Sequence, residues 1–78
     1  MSQKDACIRY QRDWAKRTVT ITLRGGRSGY GRIMASEIRP THLSQHDRER
    51  LVGDMLKIAA ERGYSRVWDD ATDRCVET

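Results

Sequence analysis

At 78 residues, with 37% hydrophobic and 33% charged side chains, the chain is sized for one small domain and is too apolar to be fully disordered. No apolar run approaches the ~20 residues of a membrane span. The N-terminal MSQKDACIRY also lacks the apolar core of a signal peptide, so a cytoplasmic protein with no membrane partner is expected.

The net charge of +4 is unevenly spread: residues 1–39 hold nine basic and three acidic side chains, residues 40–78 six and eight. A basic front half points to a polyanion, or to an acidic protein surface, as partner. Twelve of the fifteen basic residues are arginine, whose planar fork of donors matches phosphate and carboxylate. An arginine-favouring codon usage would give the same count. Cys7 and Cys75 lie near opposite ends without a CxxC spacing. They are expected to be reduced and not to bind zinc, a bridge between the termini being the less favoured alternative.

The first segment, SQKDACIRYQRDWAKR, reads as a helix. Ser2 and Asp5 resemble a capping box, Ala6, Cys7, Tyr10 and Trp14 share a helical face, and Arg9 and Asp13 stand at i,i+4. A strand through Cys7–Gln11, with Ile8 and Tyr10 on one side, competes with it, because Ile8 lies off the helical stripe.

In RTVTITLRG, Val19, Ile21 and Leu23 alternate with Thr18, Thr20 and Thr22, the clearest strand signal in the chain. LRGGRSGYGR follows, with four glycines, three arginines and a tyrosine in ten residues. It is expected to turn an antiparallel hairpin, either tightly at Gly25-Gly26 or as a longer loop carrying Arg27. The returning strand, GYGRIMASEIRP, places Tyr30, Met34 and Ile38 on one side and Ile33 and Ala35 on the other, with a bulge expected at Gly29 or Gly31.

The longest helix is expected within THLSQHDRERLVGDMLKIAAERGY, with Ser44 as N-cap, Asp47 completing its capping box, and Gly63 closing it in a Schellman motif with Tyr64. Leu51, Val52, Met55, Leu56, Ile58 and Ala59 supply its apolar stripe. Ser65–Asp69 reads as a short strand, and DDATDRCVET as a polar, irregular tail. The fold class is therefore expected to be α+β, in the order α-β-β-α-β. Two helices would pack on one face of a short, mainly antiparallel sheet, in a single domain over residues 1–78 with an ordered core of about 3–70. The last strand could run parallel to the second through a crossover.

Catalytic patterns fail one by one. His42 and His46 are separated by the Ser44 cap and lack the glutamate of HExxH. Asp69-Asp70-Ala71-Thr72-Asp73 reads as a solvated acidic turn. GRSGYG has no strand–elbow–helix context, and the glycines are not followed by the Lys-Ser/Thr of a P-loop. No enzyme activity, metal or cofactor is expected.

The Arg/Gly segment instead suits nucleic acid, either DNA or RNA. Arg24, Arg27 and Arg32 would meet phosphates, Tyr30 would stack on bases, and Lys16 and Arg17 would extend the surface from the far end of the first strand. A solvated turn, with glycines for geometry and arginines for solubility, is the plainer alternative. Trp14 and Trp68 are assigned to the core.

Residues 55–68, MLKIAAERGYSRVW, are similar to helix–glycine–strand endings of many small domains, some from conjugative relaxases. In size and charge the chain also resembles phage- or plasmid-encoded accessory proteins of mobile genetic elements. The alternative function is accordingly an anti-CRISPR-like inhibitor or adaptor that docks its basic face on a nucleic-acid-handling complex of the host.

Overall fold

Residues 4–78 are described by a computed structural model, in which six elements run in the order β1 (Asp5–Asp13), β2 (Thr18–Gly25), β3 (Ile33–Pro40), α1 (Gln45–Glu61), β4 (Arg66–Asp69) and β5 (Arg74–Glu77). The strands form one sheet in the order β3-β2-β1-β4-β5. Three of its four pairings are antiparallel, and β1 with β4 is parallel. The class is α+β and the sheet is mainly antiparallel, as expected, but there is one helix, not two.

The first segment corrects the leading expectation. Residues 5–13 form the central strand, and the competing reading, with Ile8 and Tyr10 on one side, holds. Ser2, the cap of the expected helix, lies outside the described residues. Asp5 instead takes both ends of a fork from Arg66, Nε donating to Oδ1 at 2.9 Å and Nη2 to Oδ2 at 3.1 Å. The fork joins the first residue pair of the parallel β1/β4 ladder. Tertiary pairing overrides the helical stripe: β1 is hydrogen-bonded to β2 along its whole length and to β4 at its start.

The register sorts side chains to two faces. Ala6 and Ile8 of β1, Val19, Ile21 and Leu23 of β2 and Val67 of β4 are buried with Leu51, Met55 and Ala59 of α1. Burying the valine, isoleucine, leucine and methionine side chains among them contributes about 1.5–3 kcal/mol each. Trp14 does not join them. It sits in the β1–β2 turn and is 74% exposed. The loose hairpin geometry is the one adopted, and the bulge falls at neither Gly29 nor Gly31. Leu23 pairs with Ala35 and Arg24 with Ile33, leaving Met34 as the extra residue.

The helix begins and ends as its local sequence requires. Ser44 Oγ accepts from the Asp47 amide at 3.2 Å. At the other end, the Tyr64 and Gly63 amides donate to the Ala59 and Ala60 carbonyls at 2.9 and 3.1 Å, with Gly63 at φ +85°. That is the Schellman pattern, and it needs the left-handed residue. The helix returns the chain to β4, which runs in the same direction as β3 but pairs with β1, two strands further on. The tail is not irregular, because residues 74–77 pair antiparallel with β4. Asp69 Oδ1 accepts from the Ala71 amide at 3.0 Å and Asp73 adopts φ +55°, so the acidic segment makes the turn of a hairpin.

On the helix side, a polar cluster closes the sheet. Asp69 is buried and lies 3.6 Å from Arg48 Nη2, and Tyr10 is enclosed beside this pair. Burial, followed by the Asp69 charge, pushes the Tyr10 hydroxyl up to about 12.

Two outcomes follow from this packing. A raised acid stabilises the fold fully below its unfolded value near 10, and that contribution is lost as pH climbs through the folded value. Alkaline titration should thus show a tyrosinate absorbance component with a midpoint of about 12 that accompanies unfolding and disappears in Tyr10→Phe. Second, a Cβ at Gly53, inside α1, would meet nothing within 4 Å. Gly53→Ala should therefore raise stability by about 0.5–1 kcal/mol, read as a higher urea midpoint at unchanged m-value.

Candidate functional site

The helix covers one face of the sheet. The other carries Cys7, Arg9 and Gln11 of β1, Thr18, Thr20, Thr22 and Arg24 of β2, Ser36 and Ile38 of β3, Arg66 and Trp68 of β4, and Cys75 of β5, as the register alternation requires. The Arg/Gly loop between β2 and β3 belongs to this open face. Its base is closed by Gly25, whose amide donates to the Arg32 carbonyl and whose carbonyl accepts from the Gly31 amide, each at 3.0 Å. The Gly26 amide, at φ +87°, donates to the Asp5 carbonyl at 2.7 Å and docks the loop on the start of β1.

Arginines from the sheet then reach up to loop carbonyls. Arg9 Nη1 donates to the Ser28 carbonyl at 3.2 Å and Arg24 Nη1 to the Gly31 carbonyl at 3.4 Å. Gly29 is buried under the Arg9 stem, where a Cβ would lie 2.6 Å from Arg9 Cδ. A Cβ at Gly31 would collide with the Gly25 carbonyl, so the loop can close only with glycine there. Two aromatic rings complete the group. The Arg27 guanidinium lies 3.8 Å from the Trp68 ring centroid, and that of Arg9 lies 5.7 Å from Tyr30.

Cys7 sits beneath this layer. Its register neighbours are Arg24 and Trp68, and it is 3% exposed although its face has no helix over it. Burial first, and then the Asp70 charge, push its thiol up, against the opposing pull of Arg9 and Arg27. Beside the loop an open groove of about 420 Å³ is lined by Arg9, Gln11, Thr20, Thr22, Arg24 and Tyr30.

The structure therefore brings together Arg24, Arg27 and Tyr30 from the residues singled out in the sequence, with the exposed Arg32 at the base of the loop. It adds Arg9 and Trp68. Trp68, assigned above to the core, is half-buried on the open face. Lys16 and Arg17 stand elsewhere, in the β1–β2 turn at the opposite end of β2, whose eight residues span roughly 25 Å. His42 and His46 are exposed, and no group of three or more metal-ligating side chains occurs among the described residues. No described helix is long and apolar enough to cross a membrane.

Charge partners divide the arginines into two sets. Arg39, Arg48 and Arg66 each face a carboxylate, of Glu37, Asp69 and Asp5 respectively. Among the described residues the other nine have none: Arg9, Arg24, Arg27 and Arg32 at the loop, and Arg12, Arg17, Arg50, Arg62 and Arg74 elsewhere. Arg9, Arg24 and Arg27 rest on carbonyls and π faces instead. No protein-family model matches the chain, and neither does any curated protein or solved structure.

Cys7 offers a direct readout of the loop. In a Cys75→Ser background, Cys7 should react slowly with a thiol reagent at neutral pH. Adding Gly31→Ala should lift the loop and speed that reaction about tenfold, the factor given by about 1.4 kcal/mol of lost closure. Equal rates in the two proteins, with unchanged circular dichroism, would show that the loop is not what shields Cys7.

Proposed function

We propose that the chain is a non-enzymatic module that binds nucleic acid, DNA or RNA, with the Arg/Gly loop and the adjoining open face of the sheet. The observation that carries this reading is the set of arginines without carboxylate partners at one end of one face. The guanidinium groups of Arg9, Arg24 and Arg27 gathered at the loop, with exposed Arg32 at its base, attract an anion, and Arg9 and Arg24 along the groove suit a chain of anions better than a single one. The groove floor supplies hydroxyl and amide donors from Thr20, Thr22 and Gln11 for sugar and phosphate oxygens. Tyr30 and Trp68 supply ring faces.

A second reading is favoured by a different feature. Ile33 and Ile38, 51% and 63% exposed, lie on the open face of edge strand β3. An apolar strip flanking a basic one suits an acidic protein surface, as an inhibitor of a nucleic-acid-handling complex would need. Tight stoichiometric capture of such a complex, together with no affinity for free DNA or RNA, would establish that reading in place of the first.

The two are separated by salt dependence. With about 3–5 phosphates engaged, log K against log salt should fall with a slope of roughly −2 to −4.5, depending on strandedness. Removing two exposed contacts with Arg27→Ala and Arg32→Ala should flatten that slope by about 1.4–1.8 and weaken binding throughout. Arg39→Ala, which removes a guanidinium already paired with Glu37, should leave it unchanged. An unaltered slope and affinity in the double variant would remove the loop from the site.

A further inference from the structure

Each aromatic ring at the loop end of the open face has an arginine against it. Trp68 lies under Arg27, and Tyr30, 82% exposed, is approached by Arg9. We infer that this end of the sheet is a site for unpaired nucleic-acid strands. One base replaces the Arg27 guanidinium on the Trp68 ring, a neighbouring base stacks on Tyr30, and the released Arg27 joins Arg24 on the flanking phosphates. The inference rests on the nucleic-acid reading above and narrows its ligand to single strands.

Three observations support it. First, Arg27 lies 3.8 Å from the centre of the indole, the separation of a stacked planar group. A base is a larger planar group with the same demand for a π face, and it carries its own phosphate to receive the cation it displaces. Second, Tyr30 presents most of its ring to solvent from a loop whose sequence offers it no apolar neighbour. A duplex keeps its base faces inside the stack and shows a protein only edges and backbone. Exposed ring faces beside phosphate-binding arginines therefore select strands whose bases are free. Third, the route past the rings is built for a backbone. The groove beside Tyr30 runs along Thr22 and Thr20 with Gln11 opposite, and Arg24 stands at its loop end.

Trp14 and Trp68 are the two tryptophans, and Trp14 is exposed in the distant β1–β2 turn, so Trp14→Phe leaves Trp68 as the sole tryptophan, excited beyond the tyrosine absorption band. The full chain in that background is titrated at low salt with a short oligothymidylate, an abasic strand of equal length, and a duplex of equal length. The oligothymidylate should quench Trp68 and bind more tightly than the abasic strand by at least the about 5- to 150-fold range of one stacked base. Tyr30→Ala, at an exposed position that the fold does not need, should reduce that preference, and Tyr30→Phe should keep it. Equal affinity for thymidylate and abasic strands, or tighter duplex binding with Trp68 emission unchanged, overturns the single-strand inference and leaves the phosphate-contacting surface standing. Failure of all three ligands to bind overturns both.

Discussion

A single seventeen-residue helix, about 25 Å long and 10 Å wide, can cover one face of a five-stranded sheet and no more. The two faces consequently answer to different demands. Against α1 the strands present alanine, isoleucine, valine and leucine. On the other side every strand must meet water, and it does so with threonines on β2, arginines on β1, β2 and β4, and a glutamine. The Arg/Gly loop folds back over the part of that side least suited to water, where Cys7 and Trp68 lie next to each other across β1 and β4. With one helix among the described residues, the fold uses a loop and two guanidinium groups as partial cover.

Guanidinium groups make poor permanent cover, and that is the interest of the arrangement. Where this protein uses arginine to hold elements together it pairs it with a carboxylate, as in the Arg66–Asp5 fork that ties β4 to β1. At the loop the arginines hold on to carbonyls and rings, partners that leave their charge uncompensated. Such contacts orient the side chains at little cost in lost hydration, and they are weaker than a charge-assisted bond to an anion would be. Arg9, Arg24 and Arg27 thus complete the fold of the free protein while their charges stay uncompensated.

Much of this was legible from the sequence where the signal was local. β2 alternates cleanly because one of its faces is covered and the other wet. The helix ends were written in Ser44, Asp47 and Gly63, each of which acts within a few residues. β1 was legible only as the second choice, for the opposite reason. At its start Ala6, Cys7 and Ile8 are buried in succession, one face by the helix and the other by the loop, so alternation survives only from Ile8 to Gln11. What remains, Ala6, Cys7, Tyr10 and Trp14, imitates a helical stripe. β5 is exposed at all four residues and held by its pairing with β4, which composition does not report. The candidate site divides in the same way. Arg24, Arg27, Tyr30 and Arg32 are neighbours in the chain and could be grouped by eye. Arg9 and Trp68 come from strands that only the β2-β1-β4 order brings to the loop. The alternation of Val67 inward and Trp68 outward was present in the sequence, but an indole in a chain without phenylalanine is readily assigned to the core.

The parallel pairing of β1 with β4 also governs how the chain can fold. β1, β2 and β3 are joined by short connections and can zip as a meander, but the β1 edge facing β4 waits for residues 61 positions further along, the separation spanned by the Asp5–Arg66 fork. Closing so long a loop is entropically costly and comes before any contact that rewards it. Until then the central strand of the finished sheet is an edge strand, with Ala6 and Ile8 uncovered beside open amides and carbonyls, the condition under which strands pair with the wrong neighbour. The helix α1 makes the connection to that edge. By packing on the meander it brings the chain back across β2 and β1 and delivers β4 to the free edge of β1.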